Sequence, residues 1–520
     1  MRRREALWMG CVGAASWSAP SAARAAAPRP PGPTPFAALR ERARRLAAAP
    51  FQTQRQSLAP SLTSLDYDAW RAIRYLPEQA IWADDASAAW QLQLFHPGSH
   101  YQRTVDIDLV EAGVTTRLPW RTARFRYDPP TSLSLAIDAA TTGAAGVRLH
   151  HRLHRPEHFD EVAVFLGGSY FRLLGREQVW GASARALAID VAGPRGEEFP
   201  FFRSFTIEKP PPGGNVIVVN ALLDSPSISG AFRFAITVSA PPDDATVVDV
   251  EAVVFARDDI ARLGIAPLTS MFQRGENRRS AGEVDDFRPE VHDSDGLLLH
   301  TGAGERVWRP LQNPKHLNVH AFVDDNPRGF GLLQRDRAFD HYQDLETQAE
   351  QRPSLWIEPK GSWGKGHVEL VEIPSDDEYH DNIVAYWLPQ TPLRAGTSRA
   401  FGYRLSAVRG EPAGGQGRVT STRSGNAQAI GNSAADARAR LFIVEFEGGD
   451  LEALAETAPV RALLTTSRGT VGVATVQKNP KTKGWRAAFV FTPTDEVADL
   501  RLSLQRDGRP LTETWTLPCP

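Results

Sequence analysis

Short segments rich in β-branched and aromatic residues, separated by turns, run through most of this 520-residue chain and constrain its fold more than any other feature. Residues 90–96 (WQLQLFH) and 105–110 (VDIDLV) alternate at period two, and residues 247–255 (VVDVEAVVF) form a nearly continuous apolar run. Period two is the period of a β-strand, because successive side chains point to opposite faces of the sheet. Regular strand and turn spacing without long helical repeats therefore predicts a mainly β chain built on a large β-sandwich.

Two short helices are predicted ahead of the strands. Thr34 and Pro35 are typical of an N-cap and a first helical position, so residues 36–49 are expected to form a surface helix. Residues 65–76, which include Trp70, are predicted to form the second helix. Single tryptophans elsewhere, such as Trp180, are expected in the core.

A break in composition at residues 409–437 indicates a linker or long loop, because the segment is rich in glycine, proline and small polar residues. It predicts two domains, a large β-sandwich over 36–408 and a small immunoglobulin-like sandwich over 420–520. Strands of the second domain are predicted at 440–446, 470–477, 485–491 and 499–504.

The first 27 residues are typical of a cleavable export signal. Arginines at positions 2–4 precede a weakly apolar run at 6–17 and an Ala-x-Ala exit at 23–25. The adjacent arginines favour the twin-arginine route, and an ordinary Sec signal is the alternative. Because this segment carries four arginines and one glutamate, its removal changes the formal net charge from −2 to −5.

The remaining composition excludes several classes of function. A formal net charge of −2 gives no basic field for nucleic acid. The two cysteines, Cys11 and Cys519, exclude a disulfide framework and a cysteine zinc cluster. No later stretch approaches eighteen apolar residues, so no transmembrane helix is expected.

Residues 288–387 hold the densest run of chemically useful side chains, with carboxylates, arginines and tryptophans interleaved. That mixture is typical of a sugar cleft, where aromatic faces stack on pyranose rings and acids and arginines bind hydroxyls. The segment 293–296 (DSDG) is equally typical of a simple turn. His316 and His320 lie in a strand-like segment, so we expect no metal site and no cofactor.

Several long segments resemble the periplasmic glucans biosynthesis protein G/D family, over almost the whole chain after the export signal. The segments are 165–190 (FLGGSYFRLLGREQVWGASARALAID), 222–236 (LLDSPSISGAFRFAI), 288–296 (RPEVHDSDG), 326–335 (NPRGFGLLQR), 363–374 (WGKGHVELVEIP), 381–387 (DNIVAYW), 479–485 (NPKTKGW) and 512–515 (TETW). The export signal resembles the D branch of the family, whereas residues 313–317 (NPKHL) resemble the G branch. We expect the D branch.

The resemblance implies a periplasmic protein of osmoregulated periplasmic glucan synthesis, with a substrate cleft in the N-terminal β-sandwich. Members act on β-1,2-linked glucose backbones and are linked to inverting endo-β-1,2-glucanase activity or to transglycosylation. Matched by motif, the general acid falls on Asp381 and the general base on Asp293. Inversion requires the two carboxyls about 6.5–9.5 Å apart, or further if water or a sugar hydroxyl relays the proton.

One residue departs from the family pattern. A tyrosine commonly precedes the Glu-x-Arg-Pro step in the family, and Ala349 stands there in this chain. If that tyrosine contacts sugar or orders water, its loss weakens hydrolysis, so transglycosylation or low activity stays open.

Four further residues have side chains suited to sugar binding and lie near the two acids in sequence. They are Arg335, Tyr342, Glu358 and Trp363. Core packing or a structural ion pair is an equally good interpretation of each one.

The expected partner is a β-1,2-glucan, and a homodimer and docking to a membrane glucan synthase stay open. The alternative to an enzyme is a non-catalytic glucan-binding or scaffold protein of glucan assembly. A generic exported lectin-like protein is a third, weaker interpretation.

Overall fold

The computed structural model describes residues 34–53, 58–128, 143–239, 245–276, 285–412, 414–429 and 436–519. The export signal expected at residues 1–27 lies outside these ranges. Strands account for 48% and helices for 8% of the residues that the structure describes, which confirms the mainly β class. Among the helices in the described ranges, none is long and apolar enough to cross a membrane.

The described helices are short and few. In chain order they are α1 (Pro35–Ala47), α2 (Pro60–Thr63), α3 (Tyr67–Arg71) and α4 (Phe339–Tyr342). Single 3-10 turns span Pro77–Gln79, Thr122–Arg124, Ala349–Gln351 and Gly449–Leu451.

Strands make up the rest of the regular structure. Before residue 409 they are β1 (Ile73–Tyr75), β2 (Trp90–Phe95), β3 (Asp106–Glu111), β4 (Val114–Arg117), β5 (Phe125–Tyr127), β6 (Gly146–His151), β7 (Asp160–Leu166), β8 (Tyr170–Leu173), β9 (Ser183–Arg185), β10 (Leu187–Ile189), β11 (Phe201–Glu208), β12 (Val216–Asp224), β13 (Ile228–Val238), β14 (Thr246–Ala256), β15 (Leu263–Ser270), β16 (Phe272–Arg274), β17 (Val291–His292), β18 (Gly296–His300), β19 (Arg306–Pro310), β20 (Asn318–Asp325), β21 (Gly329–Leu333), β22 (Ser354–Lys360), β23 (Lys365–Glu372), β24 (Ile383–Pro389) and β25 (Ser398–Val408). After residue 409 they are β26 (Arg418–Asn426), β27 (Arg440–Glu447), β28 (Arg461–Thr466), β29 (Thr470–Val471), β30 (Thr475–Lys478), β31 (Trp485–Thr492), β32 (Ala498–Arg506), β33 (Arg509–Pro510) and β34 (Thr514–Cys519).

Two large sheets face each other across the principal core, as the period-two pattern predicts. The first sheet has the order β2-β6-β7-β8-β9-β15-β24-β23-β20, and the second has the order β28-β32-β34-β19-β18-β21-β22-β25-β14-β13-β12-β11-β3-β4. Phe165 and Phe171 of the first sheet pack against Phe234 of the second, with ring centroids 5.2 and 5.1 Å apart. All three rings are buried, so the core is the apolar space between the sheets.

Helix α1 begins where the sequence predicts. The Thr34 hydroxyl accepts a hydrogen bond from the Ala37 amide at 3.3 Å, which caps the helix N-terminus. Phe36 and Leu39 are buried against Leu222 of the second sheet, so α1 covers the outer side of that sheet.

The second predicted helix is wrong in its C-terminal half. Helix α3 ends at Arg71, and Ile73 lies in strand β1, where it pairs with Tyr127. Ile73 and Tyr75 are buried and Arg74 between them is exposed. This alternation is that of a β-strand, so residues 73–75 form a strand and not the end of the predicted helix.

The expected linker at 409–437 also needs correction, because β26 (Arg418–Asn426) lies within it. Strand β26 is at the edge of the sheet β26-β27-β31-β29, to which β30 also pairs. An edge strand exposes one side to solvent and tolerates small polar residues, so its composition resembles that of a loop. The division into domains at 36–408 and 420–520 stays a prediction.

The C-terminal strands are joined to the N-terminal sandwich through a shared sheet. Strand β34 pairs in parallel with β19, with Trp515 opposite Trp308. The indole of Trp515 packs on the rings of Phe442 and Phe489, with centroids 6.0 Å from each. The second hydrophobic core therefore includes residues from both parts of the chain.

A buried arginine ties the two parts together. The Arg335 guanidinium donates to Glu513 Oε1 at 2.6 Å, to Glu411 Oε2 at 2.9 Å and to the Val419 carbonyl at 2.9 Å. It also lies 3.6 Å from the ring centroid of Trp308. Since the group is buried, its charge depends on these partners for compensation.

We expect Glu513→Gln to lower the free energy of unfolding by about 3 kcal/mol, because it leaves part of a buried positive charge without its carboxylate. Chemical denaturation measures the loss. Arg418→Gln is the matched control, since Arg418 also pairs with Glu411 but is exposed. It should cost less than about 1 kcal/mol. Equal losses in the two variants would contradict a special role for the buried tie.

Candidate active site

The extended chain from Ser270 to Phe272, where β15 ends and β16 begins, brings the two expected catalytic acids together. The Asn382 amide donates to the Ser270 carbonyl at 3.1 Å, and the Asp293 amide donates to the Met271 carbonyl at 2.8 Å. Consecutive carbonyls of an extended chain point in opposite directions. The segments that carry Asp381 and Asp293 therefore flank this stretch on its two sides.

This arrangement sets the separation of the two acids. Neighbouring strands lie about 4.8 Å apart, so segments on both sides of one strand are about 10 Å apart at the backbone. The Asp381 charge acts on Asp293, which places the two carboxyls close enough for electrostatic coupling. The structure thus brings together two residues that are far apart in sequence.

Asp293 is buried beside an arginine. Its carboxylate forms an ion pair with Arg352, whose guanidinium also donates to the His292 carbonyl at 3.2 Å. Burial raises the pKa of Asp293, the Arg352 guanidinium opposes this shift, and the nearby Asp381 adds to it. Arg352 is therefore the group that contributes most to favouring the ionised form of Asp293.

Asp381 lies in an open cleft. Ser183 Oγ donates to Asp381 Oδ2 at 3.4 Å, and the same Ser183 hydroxyl lies 2.5 Å from Thr269 Oγ1. The carboxylate is partly exposed and lines a cleft with about 2210 Å³ of empty space, open solvent included. A chain of several sugar units can enter a space of this size.

The cleft runs over the outer face of the first sheet, where β2, β6, β7 and β8 lie side by side. Its aromatic lining is Tyr67, Trp70, Tyr75, Phe95, His96, His100, Tyr101, Phe125, Tyr170, Phe171, Trp180, Tyr379 and His380. Arg71, Arg148, Arg172 and Glu161 add charged groups. Rings interleaved with charged groups are suited to stacking on pyranose faces and to hydrogen bonding with hydroxyls.

Glu161 is a titratable group of the cleft that the sequence did not single out. Arg148 lies 3.3 Å from its carboxylate. Burial raises the pKa of Glu161, and the Arg148 guanidinium opposes the shift. One indication of Glu161 was present in the sequence: it belongs to strand β7 (Asp160–Leu166), which runs into the matched segment 165–190.

Trp180 is not in the core as expected, because it is partly exposed and lines the cleft. It lies inside the segment 165–190, as do Tyr170 and Arg172. The sequence of that segment indicated the family, but it did not predict that the segment forms a wall of the cleft.

The four expected sugar-binding residues lie elsewhere. Among the described residues that line the cleft, none of the four occurs. Arg335 holds the tie between the two parts of the chain. Tyr342 is buried, where its hydroxyl accepts from Gln334 at 2.9 Å. Glu358 is exposed on β22, and Trp363 Nε1 donates to the Gly402 carbonyl at 3.1 Å. These contacts favour structural roles, and sugar binding by them stays a prediction.

His292 is fully buried next to the general-base candidate. Its Nδ1 lies 3.0 Å from Gln334 Oε1, and its Nε2 lies 3.0 Å from Glu290 Oε2 and 3.5 Å from Asp295 Oδ1. Burial lowers the pKa of His292, but the Asp295 and Glu290 carboxylates outweigh it, so that the pKa is raised. When both ring nitrogens carry a proton, Nδ1 donates to Gln334 Oε1 and Nε2 donates to Glu290 Oε2, and these bonds hold the segment that leads into Asp293.

The loop that carries Asp381 is fixed by its neighbour. Asn382 Nδ2 donates to the Phe272 and Ile373 carbonyls at 3.0 Å each, and its Oδ1 accepts from the Phe272 amide at 2.8 Å. Asn382 is buried, so water does not replace these bonds. The side chain holds the loop against the extended stretch that also orients Asp293.

We expect Asn382→Ala to lower the free energy of unfolding by about 3 kcal/mol, because buried backbone groups lose their partners. Hydrogen–deuterium exchange should become faster in residues 374–382 before it changes elsewhere. Tyr379→Ala is the matched control, since that side chain is 87% exposed in the same loop. An unchanged exchange pattern in Asn382→Ala contradicts the anchoring role.

Comparison with known proteins gives one consistent family. Residues 35–519 match the family model described as "Periplasmic glucan biosynthesis protein, MdoG". The glucans biosynthesis protein G of Shewanella frigidimarina (strain NCIMB 400) is 45% identical over 477 residues, 91% of this chain and 82% of the relative. Its namesake from Rhodopseudomonas palustris (strain BisA53) is 42% identical over 95% of both chains. A third, from Vibrio cholerae O1 (strain M66-2), is 44% identical over 91% of this chain and 84% of its own. All three carry the G name, so the expected D branch is not supported.

Proposed function

The chain belongs to the periplasmic glucan biosynthesis protein family, and we propose that it acts in the periplasm on the β-1,2-linked backbone of osmoregulated glucans. The proposed activity is that of an inverting endo-β-1,2-glucanase or a transglycosylase. The observation that carries it is the pair Asp293 and Asp381, held on two sides of one extended stretch beside an open aromatic cleft. Export by the twin-arginine route and docking to a membrane glucan synthase stay predictions.

In the proposed reaction, Asp381 protonates the glycosidic oxygen as the general acid. Asp293 acts as the general base on the opposite side. Since Asp293 is buried and Asp381 lines the cleft, the proton reaches Asp293 through a water molecule or a sugar hydroxyl. A backbone separation of about 10 Å fits the wider carboxyl spacing of inverting enzymes better than the roughly 5 Å of retaining ones.

Hydrolysis and transfer differ in what reaches the anomeric carbon, water or a sugar hydroxyl. Ala349 is buried and lines, with His292 and Arg352, a small pocket with about 220 Å³ of empty space, open solvent included. The family tyrosine expected at this place therefore adjoins the surroundings of Asp293. Without this tyrosine, the other groups around Asp293 must activate the water. Transglycosylation, in which a sugar hydroxyl takes the place of water, is therefore proposed beside hydrolysis.

The alternative is a non-catalytic protein that binds or presents glucan. The same cleft supports it, because stacking rings and charged groups bind sugar whether or not a bond is cleaved. Products of linear β-1,2-glucan, identified by mass spectrometry, separate the two proposals. An enzyme gives shorter or transferred chains, whereas a binding protein gives saturable binding and no new reducing ends.

We expect Asp381→Asn to lower product formation from β-1,2-glucan by about 100-fold or more, because the amide cannot protonate the leaving oxygen. Folding, followed by circular dichroism, should be unchanged. Asp376→Asn is the matched control, since Asp376 is exposed in the same loop and does not line the cleft. Full activity in Asp381→Asn would falsify the catalytic assignment.

We expect Arg352→Gln to move the acidic limb of the pH profile of kcat/KM to higher pH by about one pH unit. Removing the guanidinium removes the influence that lowers the pKa of Asp293, so burial raises that pKa further. A higher pKa means that the base ionises only at higher pH, and activity is lost on the acidic side. Arg352→Lys keeps the positive charge and should restore most of the limb. An unshifted limb in Arg352→Gln argues against Asp293 as the base.

A further inference from the structure

Ser183 and Thr269 carry two buried hydroxyls beside the general-acid candidate. The residues lie directly opposite each other in β9 and β15. Opposite side chains of an antiparallel pair lie on the same face of the sheet. Their neighbours Ala184 and Leu268 belong to the principal core, so the two hydroxyls lie on the outer face. These two residues, the hydroxyl pair, are therefore on the face over which the cleft runs.

The oxygens of the hydroxyl pair form a chain that ends on the carboxyl of Asp381. Thr269 Oγ1 lies 2.5 Å from Ser183 Oγ, and Ser183 Oγ lies 3.4 Å from Asp381 Oδ2. Thr269 Oγ1 also lies 3.5 Å from the Ser183 carbonyl oxygen. Within the described lining of the cleft, neither residue of the pair occurs. An influence of the pair on a bound glucan therefore passes through Asp381.

The protons of the hydroxyl pair can be arranged in two ways, because each hydroxyl has one proton to donate. In the first arrangement Ser183 donates to Thr269, Thr269 donates to the Ser183 carbonyl, and Asp381 receives no hydrogen bond from the pair. In the second arrangement Thr269 donates to Ser183, and Ser183 donates to Asp381. Both protons have an acceptor in each arrangement, so a change from one to the other leaves no buried donor unsatisfied.

We propose that the hydroxyl pair positions the general acid and changes from the first arrangement to the second when Asp381 gives up its proton. The inference rests on the proposed function, in which Asp381 is the general acid. The O–H bond of Asp381 breaks, and its proton forms a bond to the glycosidic oxygen, which keeps the electron pair of the broken C–O bond. Ser183 then donates to the new carboxylate and keeps its own proton.

This change favours the transition state over the bound substrate, because the hydrogen bond to Asp381 forms only as negative charge develops there. Hydrogen bonds to a charged acceptor are shorter and stronger than those to a neutral one. The 3.4 Å between Ser183 Oγ and Asp381 Oδ2 should therefore shorten during the reaction. Catalytic hydrogen bonds are often long before the substrate has bound.

Kinetics on two substrates test the proposal. Ser183→Ala should lower kcat on β-1,2-glucan by about tenfold or more, because the carboxylate loses a donor. KM should not change, since Ser183 is outside the described lining of the cleft. A 4-nitrophenyl glycoside of a β-1,2-linked glucan oligosaccharide has a leaving group that needs no proton, so there the same variant should lose less than about threefold. A merely structural role would lower both rates alike.

Three further variants serve as controls. Thr269→Val removes the hydroxyl that supports Ser183 and should show the same substrate-dependent loss, whereas Thr269→Ser keeps a hydroxyl and should retain most of kcat. Ser229→Ala is the matched control, because Ser229 is also fully buried and its hydroxyl donates to the Leu223 carbonyl at 3.0 Å in the second sheet. It should leave both rates unchanged.

Infrared spectroscopy tests the contact without turnover. The difference spectrum between the protein and Asp381→Asn isolates the carboxylate band of Asp381, at a pH where this carboxyl is ionised. Ser183→Ala should shift the band, and an unshifted band overturns the proposal.

The kinetic outcomes separate this inference from the proposed function. If Asp381→Asn is inactive while Ser183→Ala keeps the full kcat, or loses activity equally on both substrates, the role of the hydroxyl pair is wrong and Asp381 remains the general acid. If the unaltered protein acts on neither substrate, the proposed function is wrong, and the role of the pair falls with it.

Discussion

The site depends on hydrogen bonds that leave one short extended stretch in two opposite directions. Ser270 receives the segment of Asp381, and Met271 receives the segment of Asp293. Because backbone geometry fixes this alternation, the two acids cannot drift apart without breaking the sheet that carries them. Asn382 and His292 then fix each segment with buried side-chain bonds. The hydrogen bonds of the sheet therefore set the distance between the two segments that carry the carboxyls.

The strands before residue 409 and those after it stabilise each other where they meet. Arg335 is compensated by Glu411 and Glu513, and its neighbours Asp336 and Gln334 belong to the loops around His292. Its own backbone amide donates to Asp295. The C-terminal strands therefore support the loop that carries the general-base candidate, although they contribute no residue to the described lining of the cleft. Removing such a buried charge partner affects the loop as well as the junction.

The strands were predictable from the sequence, which also supplied Asp293 and Asp381 as candidates, whereas most of the lining of the cleft was not predictable. Alternation located β2 and β3 because strand burial repeats every second residue, and a nearly continuous apolar run located β14. Asp293 and Asp381 came from matched motifs, whereas Trp180, Arg172 and Glu161 come together only because β7 and β8 pair across a sheet. Sugar binding by Arg335 stays a prediction, and its side chain lies at the junction with Glu411 and Glu513. Nearness in sequence to the acids says nothing about the side of a sheet on which a side chain lies.

The place of the last strand has a consequence for biosynthesis. Strand β34 (Thr514–Cys519) lies between β32 and β19, inside a sheet and not at its edge. A growing polypeptide therefore cannot close that sheet before β34 has been synthesised. Until then β19 and β32 present unsatisfied edges, and a chain that stops a few residues early keeps them.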